Sequence, residues 1–147
     1  MSVGRGGFSL SGHDAIRPEF YCVCYNGPAP DMDETEGWKV KTTDVPNKHP
    51  FFAQLKSVNY LQNALNIMDA QDSQLDLGIF LNADGTISEG PHMNVGIITH
   101  EGVVKVPPFE GCLAGCTMSR IMELIPGFAE QGLLEGIVGV VQVCFIQ

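Results

Sequence analysis

Blocks of apolar and polar residues divide the first half of the chain into predicted strands and one helix. Residues 19–26, EFYCVCYN, form an apolar run that predicts a buried strand. Residues 38–46, WKVKTTDVP, alternate between polar and apolar positions and predict a strand that Pro46 ends. Lys56 then stands at the start of a predicted amphipathic helix, because apolar residues recur there at helical spacing. The predicted apolar face consists of Leu55, Val58, Leu61, Leu65 and Met68.

The middle of the chain predicts two hairpin-like units. In the first, LGIFLN at 77–82 and TISEG at 86–90 flank a tight turn at Gly85, because glycine tolerates positive φ. In the second, MNVGIIT at 93–99 turns through HEG into VVKVPP at 103–108. We therefore expect β-structure throughout this part of the chain.

The end of the chain predicts a turn, a helix and a final strand. GCLAGCTMSRIMELIPG at 111–127 predicts a glycine-containing turn that leads into a short helix. IVGVVQVCFIQ at 137–147 predicts a strongly apolar strand with nothing to cover it. Residues 1–18 predict a linker or ragged entry, and GPAPDMDETEG at 27–37 predicts an acidic surface loop. Strands dominate and helices intervene, which favours the α+β class.

Composition and charge restrict the class of protein. The 147 residues, 44% hydrophobic and 17% charged, suffice for one globular domain with a core. The net charge of -9, with eight Lys and Arg, leaves no basic patch for nucleic acid. No apolar window reaches the roughly 18–20 residues of a membrane span, and the start lacks a secretory apolar segment. We therefore expect an intracellular protein without nucleic-acid or membrane partners.

The cysteines are predicted to be reduced, buried thiols. Their number is odd and their spacing matches no metal-binding pattern. A metal site at Cys112 and Cys116 lacks a matching His or Cys pair, so no metal is expected. The five cysteines are Cys22, Cys24, Cys112, Cys116 and Cys144.

Lys56 is the one charged residue in the stretch FFAQLKSVNYLQNALNIM, residues 51–68. If its apolar neighbours desolvate the amine, the neutral form is favoured and can attack a carbonyl to form a Schiff base. The alternative is a surface lysine whose stem lies on apolar residues while its charge reaches water. The stretch by itself leaves both interpretations open.

Two further features of the sequence could bind charged groups of a ligand, one a cation and the other an anion. Glu89 lies between a hairpin and a turn, where an ionised carboxylate needs a cation such as a protonated ring nitrogen. The alternative is an ordinary turn carboxylate. Gly115 lets the backbone approach a ligand, and the amides of Cys116 and Thr117 open a helix whose N-terminus can bind phosphate. The alternative is a helix capped by Thr117. With Lys56, these are the three contacts that pyridoxal phosphate requires of a protein.

The segments that carry these residues resemble a known family. LKSVNYLQNAL, LNADGTISEGPHMN and VPPFEGCLAGCTMSRIMEL are similar to the signature blocks of the fold-type IV aminotransferases. That family includes D-amino-acid and branched-chain aminotransferases and aminodeoxychorismate lyase. The flanks, GGFSLSG and PEFYCVCYNG, resemble the plant D-amino-acid branch. The resemblance runs from about residue 3 to about residue 137. It implies the larger domain of that fold, with a mixed, barrel-like sheet, from residue 19 to the end.

The resemblance assigns the chemistry to three residues. Lys56 would bond covalently to pyridoxal phosphate and then shuttle a proton between the substrate carbon and the cofactor. Glu89 would pair with the pyridine nitrogen and keep it protonated, so that the ring withdraws electrons. Tyr60 would lie near the ring, at its phenolic oxygen.

Four further residues would hold the cofactor by the same resemblance. Asn94 would hold the turn that contains the carboxylate, and Leu113 would pack against the ring face. Cys116 and Thr117 would bind the phosphate. Met118 departs from the family pattern, in which an arginine follows the threonine, but the amide cradle does not depend on that residue.

The resemblance also implies parts that this sequence lacks. Family members are about twice as long, so we expect a smaller N-terminal domain with a phosphate-binding arginine before residue 1, and a further stretch with a threonine after the tail. The function expected is transamination between amino acids and 2-oxo acids, with D-amino acids favoured, branched-chain ones possible and a homodimer typical. The alternatives are an aminodeoxychorismate lyase and an inactive fragment. Cytoplasm and plastid both remain open.

Overall fold

The computed structural model describes residues 12–27 and 37–146, and the chain divides into two units between Thr35 and Glu36. In the first, a 3-10 helix spans Gly12–Asp14. Most of the predicted linker and most of the predicted acidic loop lie outside the described residues.

The buried strand predicted at residues 19–26 is wrong in this structure. Residues 20–27 contain no helix or strand. Phe20 is 77% exposed, and Tyr21 and Val23 are exposed as well. A strand is stabilised by the neighbours that pair with it and pack on it, and the described part of this unit contains no other strand. Residues 20–27 therefore have the apolar composition of a buried strand but lack, in the described part of this unit, a strand to pair with.

Two parallel strands open the second unit. They are β1, Val40–Thr42, and β2, Leu77–Ile79. The connection contains α1, Pro50–Ala53, and α2, Leu61–Asp72. Parallel neighbours require such a crossover, because a tight turn reverses the chain direction. The strand predicted over 38–46 is thus confirmed at its centre.

Asp69 fastens α2 to β1. Its carboxylate accepts hydrogen bonds from Lys41 Nζ at 2.8 Å and from Thr43 Oγ1 at 2.7 Å. These bonds hold the pKa of Asp69 below its usual value. The helix is therefore fixed along the sheet, and the loop that precedes it is fixed at one end.

The helix predicted from Lys56 onward starts later and buries a different face. Residues 54–60 form a loop, and α2 begins at Leu61, which is 66% exposed. Leu65 and Met68 of the predicted apolar face are exposed too. The buried residues of α2 are instead Asn63, Asn66 and Ala70.

Hydrogen bonds to main-chain groups explain why α2 buries polar residues and exposes the predicted apolar face. The side chain of Asn63 donates to the Pro91 carbonyl, and Asn66 Oδ1 accepts from the Gly78 amide of β2 at 2.9 Å. A side chain at Gly78 would collide with Asn66, so glycine permits the close approach. Two buried amides that satisfy main-chain groups determine the helix orientation here, which an apolar count does not detect.

The first predicted hairpin is confirmed. An antiparallel bridge joins Leu81 and Ile87, and the Phe80 amide donates to the Glu89 carbonyl at 2.8 Å. Gly85 has φ +81°, the left-handed conformation that the tight turn requires. The hairpin therefore places Glu89 beside the buried Phe80.

The second hairpin and the end of the chain form a three-stranded sheet. Its strands are β3, Ile97–Ile98, β4, Val103–Val106, and β5, Gly139–Gln142. β3 runs antiparallel to β4, and β5 runs parallel to it. The 15-residue helix α3, Cys116–Glu130, lies in the connection between β4 and β5.

A small core lies between this sheet and α3. Val104, Val106 and Ile125 are buried, with partly buried residues around them. The terminal strand is confirmed, but the prediction that nothing covers it is wrong in part. Its Gly139 and Val140 are half-buried against β4 and α3. The surrounding core residues are Phe109, Met118, Met122, Leu134, Ile137 and Val140.

Helices and partial sheets together confirm the α+β class. The prediction of free thiols holds for all five cysteines, but the prediction of burial holds only for Cys112, because Cys22, Cys24, Cys116 and Cys144 are exposed. Burial raises the pKa of the Cys112 thiol to about 12. Within residues 12–27 and 37–146, no helix is long and apolar enough to cross a membrane, and no His, Cys, Asp and Glu cluster could hold a metal.

Candidate active site

One cavity of about 400 Å³ in the second unit is lined by most of the predicted site residues. Its walls come from the loop before α2, the turn after the first hairpin and the start of α3. Of the predicted site residues, all but one line it. Those that do are Lys56, Tyr60, Glu89, Asn94, Leu113 and Cys116. Residues that lie far apart in the sequence therefore meet at one place.

Lys56 and Tyr60 form a pair on the loop wall. Lys56 Nζ donates a hydrogen bond of 2.6 Å to the Tyr60 hydroxyl. The same ammonium lies 5.4 Å from the centroid of the Tyr60 ring. The loop conformation, rather than a helical turn, brings these side chains together, since α2 begins only after Tyr60.

The environment of Lys56 differs from the one predicted. Lys56 is exposed, Leu55 is exposed, and Val58 is 99% exposed. The prediction that these apolar neighbours desolvate the amine is therefore wrong for this structure. Their side chains are directed to solvent, because the loop places them on the outer surface and not on a helix face packed against the core.

Glu89 is the buried charge of the opposite wall. Only 6% of the residue is exposed, and Glu89 Oε2 accepts a hydrogen bond of 3.1 Å from the Leu113 amide. Burial raises the pKa of Glu89, while that hydrogen bond and the ammonium groups of Lys48 and Lys56 oppose the rise. A buried carboxylate beside an open cavity is suited to a cationic group of a ligand.

Asn94 holds the wall that contains Glu89 in position through main-chain and side-chain hydrogen bonds. It pairs with Glu89 in an antiparallel bridge, and its Nδ2 donates to the Leu113 carbonyl at 2.7 Å. A Cβ on Gly115 would collide with Asn94 Oδ1, so glycine is required for this approach. The turn, Leu113 and the start of α3 thus form one hydrogen-bonded assembly.

The start of α3 presents main-chain donors at the cavity. Gly115 is the N-cap residue and offers no side-chain cap, so the first amides of the helix are not satisfied by it. Cys116 lines the cavity, whereas Thr117 is exposed outside its lining. The alternative that Thr117 is the N-cap is therefore wrong. A helix N-terminus of this kind favours an anion.

Asn63 and Lys48 are among the cavity residues that were not predicted from the sequence. Asn63 is 6% exposed, and its Oδ1 has no hydrogen-bond partner in the described part of the chain. Lys48 also lines the cavity and lies over the Tyr60 ring. The position of Asn63, on one helix face with Asn66, was the signal available, but polar residues at helical spacing usually indicate an exposed face.

The chain is similar to known proteins in sequence and fold. Residues 1–134 match the family described as Amino-transferase class IV. Over 136 residues the chain is 38% identical to the D-amino-acid transaminase, chloroplastic, of Arabidopsis thaliana, and the match covers 92% of this chain and 36% of that protein. The chain therefore spans little more than a third of that relative's length.

Solved structures share the fold. A protein assigned as a 4-amino-4-deoxychorismate lyase is 28% identical, with a TM-score of 0.64 over 82% of this chain and 44% of that one. The branched-chain aminotransferase of the archaeon Thermoproteus uzoniensis, solved with norvaline, is 23% identical. Its TM-score is 0.65 over 78% of this chain and 37% of that one.

A third solved structure contains a derivative of the expected cofactor. It is a branched-chain amino acid aminotransferase complexed with N-(5'-phosphopyridoxyl)-L-glutamate, and it is 20% identical. Its TM-score is 0.63 over 76% of this chain and 35% of that one, so it too shares the fold. The resemblance noted in the sequence is confirmed: the chain belongs to the class IV aminotransferase family.

Proposed function

We propose that this chain is the cofactor-binding part of a pyridoxal phosphate-dependent aminotransferase. Class IV aminotransferases use pyridoxal phosphate. The observation that carries the proposal is that Lys56, Glu89 and the start of α3 line one cavity. An amine, a buried carboxylate and a helix N-terminus are the donor set for an aldehyde, a ring nitrogen and a phosphate.

The residues present fit this group. Glu89 is buried, faces the cavity and forms no ion pair with a Lys or Arg in residues 12–27 and 37–146. Gly115 brings the start of α3 against Asn94 at a distance that no side chain would permit. When bound, the cofactor supplies a ring that withdraws electrons from the substrate α-carbon.

Each residue then has a defined task. Lys56 would take a proton from the substrate α-carbon and deliver it to C4′ of the cofactor, with Tyr60 orienting the amine through the 2.6 Å hydrogen bond. Glu89 would hold the proton on the ring nitrogen, aided by its fixed contact with Leu113. Asn94 would keep that carboxylate in place.

The remaining assigned residues would bind without moving protons. Leu113 would pack on one ring face. The amides of Cys116 and Thr117 would donate to the phosphate, as the N-terminal dipole of α3 favours an anion there. Neither task depends on the exposed Cys116 thiol.

The proposed substrates are amino acids and 2-oxo acids, with D-amino acids preferred over branched-chain ones. The 38% identity to a D-amino-acid transaminase supports this order. The full-length protein would work as a homodimer, as the family resemblance implies. Its domain arrangement would place residues 19–147 in the larger domain, after a smaller N-terminal domain. The name of that relative, chloroplastic, supports a plastid over the cytoplasm.

A single-turnover experiment tests the reaction. The cofactor-loaded chain is mixed with D-alanine or with L-leucine, and the 2-oxo acid released is measured. We expect pyruvate from D-alanine at a higher rate than 4-methyl-2-oxopentanoate from L-leucine, and no product with Lys56→Ala. The matched surface variant Lys39→Ala should match the wild type. A wild-type chain that binds cofactor, releases neither product and does not consume 4-amino-4-deoxychorismate would favour the inactive fragment.

A lyase is the second candidate. The 28% identity to the protein assigned as a 4-amino-4-deoxychorismate lyase favours it. The same cavity residues would serve, because both reactions begin with a proton taken from the substrate. Consumption of 4-amino-4-deoxychorismate by the loaded chain, without release of product from D-alanine, would select the lyase.

A further inference from the structure

Lys48 is a second lysine of the cavity, and apart from its electrostatic effect on Glu89 none of the roles above uses it. The residue is half-buried, and its Nζ lies 5.4 Å from the centroid of the Tyr60 ring. Lys56 Nζ lies at the same distance from that ring. Among residues 12–27 and 37–146, the Lys48 ammonium forms no ion pair with an Asp or Glu. A half-buried cation in this position is suited to an anionic ligand.

The charge of the cavity differs from that of the whole chain. The chain has a net charge of -9 and only eight Lys and Arg. Two of those eight, Lys48 and Lys56, line this cavity, where Glu89 is the one acidic residue among the described residues. Glu89 already accepts from the Leu113 amide. Cations at a partly enclosed site in an otherwise acidic protein concentrate anions there.

Lys48 and the start of α3 both line the cavity but have different contacts. The contact of Lys48 is the Tyr60 ring, which also receives Lys56. Gly115, at the start of α3, contacts Asn94 instead. The cavity therefore offers two separate features for anions, an ammonium beside Tyr60 and the main-chain amides of α3. The amides suit a phosphate, which leaves Lys48 for another group.

We propose that Lys48 binds the carboxylate of the amino acid or 2-oxo acid substrate. The inference rests on the proposed function, since it names the substrate contact of the same site. The ammonium donates to the carboxylate oxygens, and the Tyr60 ring holds it in place. Because Lys56 approaches the same ring, a carboxylate at Lys48 directs the adjacent α-carbon toward the Lys56 amine. Lys48 is thus a substrate-binding residue that orients the reacting carbon.

Matched ligands test this binding without any reaction. Propanoate and propanamide have the same size and no aldehyde or ketone that Lys56 could attack, and only propanoate is charged. Their dissociation constants are measured by NMR on the full chain, with and without cofactor. For Lys48→Met we expect propanoate to bind at least about tenfold more weakly, as expected for a lost charged hydrogen bond, with propanamide unchanged. Lys48→Arg should restore propanoate binding to within about threefold.

Controls separate the alternatives. Lys39→Met, at an exposed lysine outside the cavity, should bind propanoate as the wild type does. Inorganic phosphate should bind Lys48→Met within about twofold of the wild type, because the α3 amides remain. An equal loss of phosphate and propanoate would overturn the assignment to the carboxylate, and so would an equal loss of propanoate and propanamide. Propanoate binding that Lys48→Met leaves intact would also overturn it.

The two proposals fail in different ways. A pyridoxyl group fixed to Lys56 by borohydride, found in Lys48→Met as in the wild type, shows that the variant folds and keeps its cofactor site. If the wild type acquires no such group yet still distinguishes propanoate from propanamide through Lys48, the proposed function fails while the carboxylate site stands. If the group forms and propanoate does not bind, the carboxylate site fails alone.

Discussion

The two walls of the cavity are built in opposite ways. On one, the buried Glu89 is held by the Leu113 amide, and Asn94 holds the Leu113 carbonyl at 2.7 Å. On the other, Lys56 lies in an exposed loop, and its side chain makes the 2.6 Å bond to Tyr60. The same cavity thus has one wall fixed by the core and one presented to solvent.

This difference fits the different tasks proposed for the two walls. A carboxylate that must stay charged beside a ring nitrogen needs fixed donors, and the hydrogen-bonded assembly supplies them. A lysine that forms a covalent bond and moves a proton needs reach and freedom, and a loop supplies those.

Gly115→Ala should produce the largest loss of stability, because it disturbs the hydrogen-bonded wall that contains Glu89. The added Cβ would collide with Asn94 Oδ1, so Asn94 must release the Leu113 carbonyl. We expect the free energy of unfolding in urea to fall by about 1–3 kcal/mol. Gly127→Ala in the same helix meets open space and should raise it by up to about 1 kcal/mol. Equal effects of the two substitutions would contradict the account of this wall.

Glu89→Gln should change the pH dependence of stability. Burial raises the pKa of Glu89 above 4.5, so between that value and the folded pKa the folded chain holds a proton that the unfolded chain has released. The stability contributed by this group therefore falls as pH rises through that window. Gln removes the effect, so the variant should become more stable relative to the wild type as pH rises to neutrality.

Urea unfolding between about pH 4 and pH 7 measures this difference. The exposed Glu135→Gln is the matched control and should leave the wild-type profile unchanged. A glutamine variant at Glu89 that is less stable than the wild type at neutral pH would show that the buried carboxylate stabilises the wall, contrary to the burial argument.

Val58→Ser should have the smallest effect, because it lies on the exposed wall. Val58 is 99% exposed, so the substitution removes almost no buried apolar surface. We expect the free energy of unfolding to change by less than about 0.5 kcal/mol. A loss above about 1 kcal/mol would mean that the loop packs against something in solution, and the contrast between the walls would disappear.

Local signals in the sequence predicted part of the fold. Gly85 at a tight turn and the apolar strand after Ile137 were recognisable because turn chemistry and strand composition act over a few residues. The orientation of α2 could not be recognised from the local sequence. It depends on Asn63 and Asn66 finding main-chain partners at Pro91 and Gly78, far along the chain.

Prediction of the candidate site from the sequence was limited in the same way, to features that depend on a few neighbouring residues. Lys56 and Glu89 were predicted as residue types, and both line the cavity. The environment of Lys56 was not predicted correctly, because Leu55 and Val58 face solvent instead of covering its amine. Lys48 was missed altogether, since nothing in its local sequence indicates that its side chain reaches the Tyr60 ring.

The position of the cofactor attachment tests the central claim most directly. The full chain is incubated with pyridoxal phosphate, reduced with borohydride, digested and analysed by mass spectrometry. We expect one pyridoxyl group per chain on Lys56, with Lys48 and the exposed Lys39 unmodified, and none on the Lys56→Ala variant. Attachment spread over several lysines, or undiminished in Lys56→Ala, would contradict a cofactor site formed by Lys56, Glu89 and the start of α3.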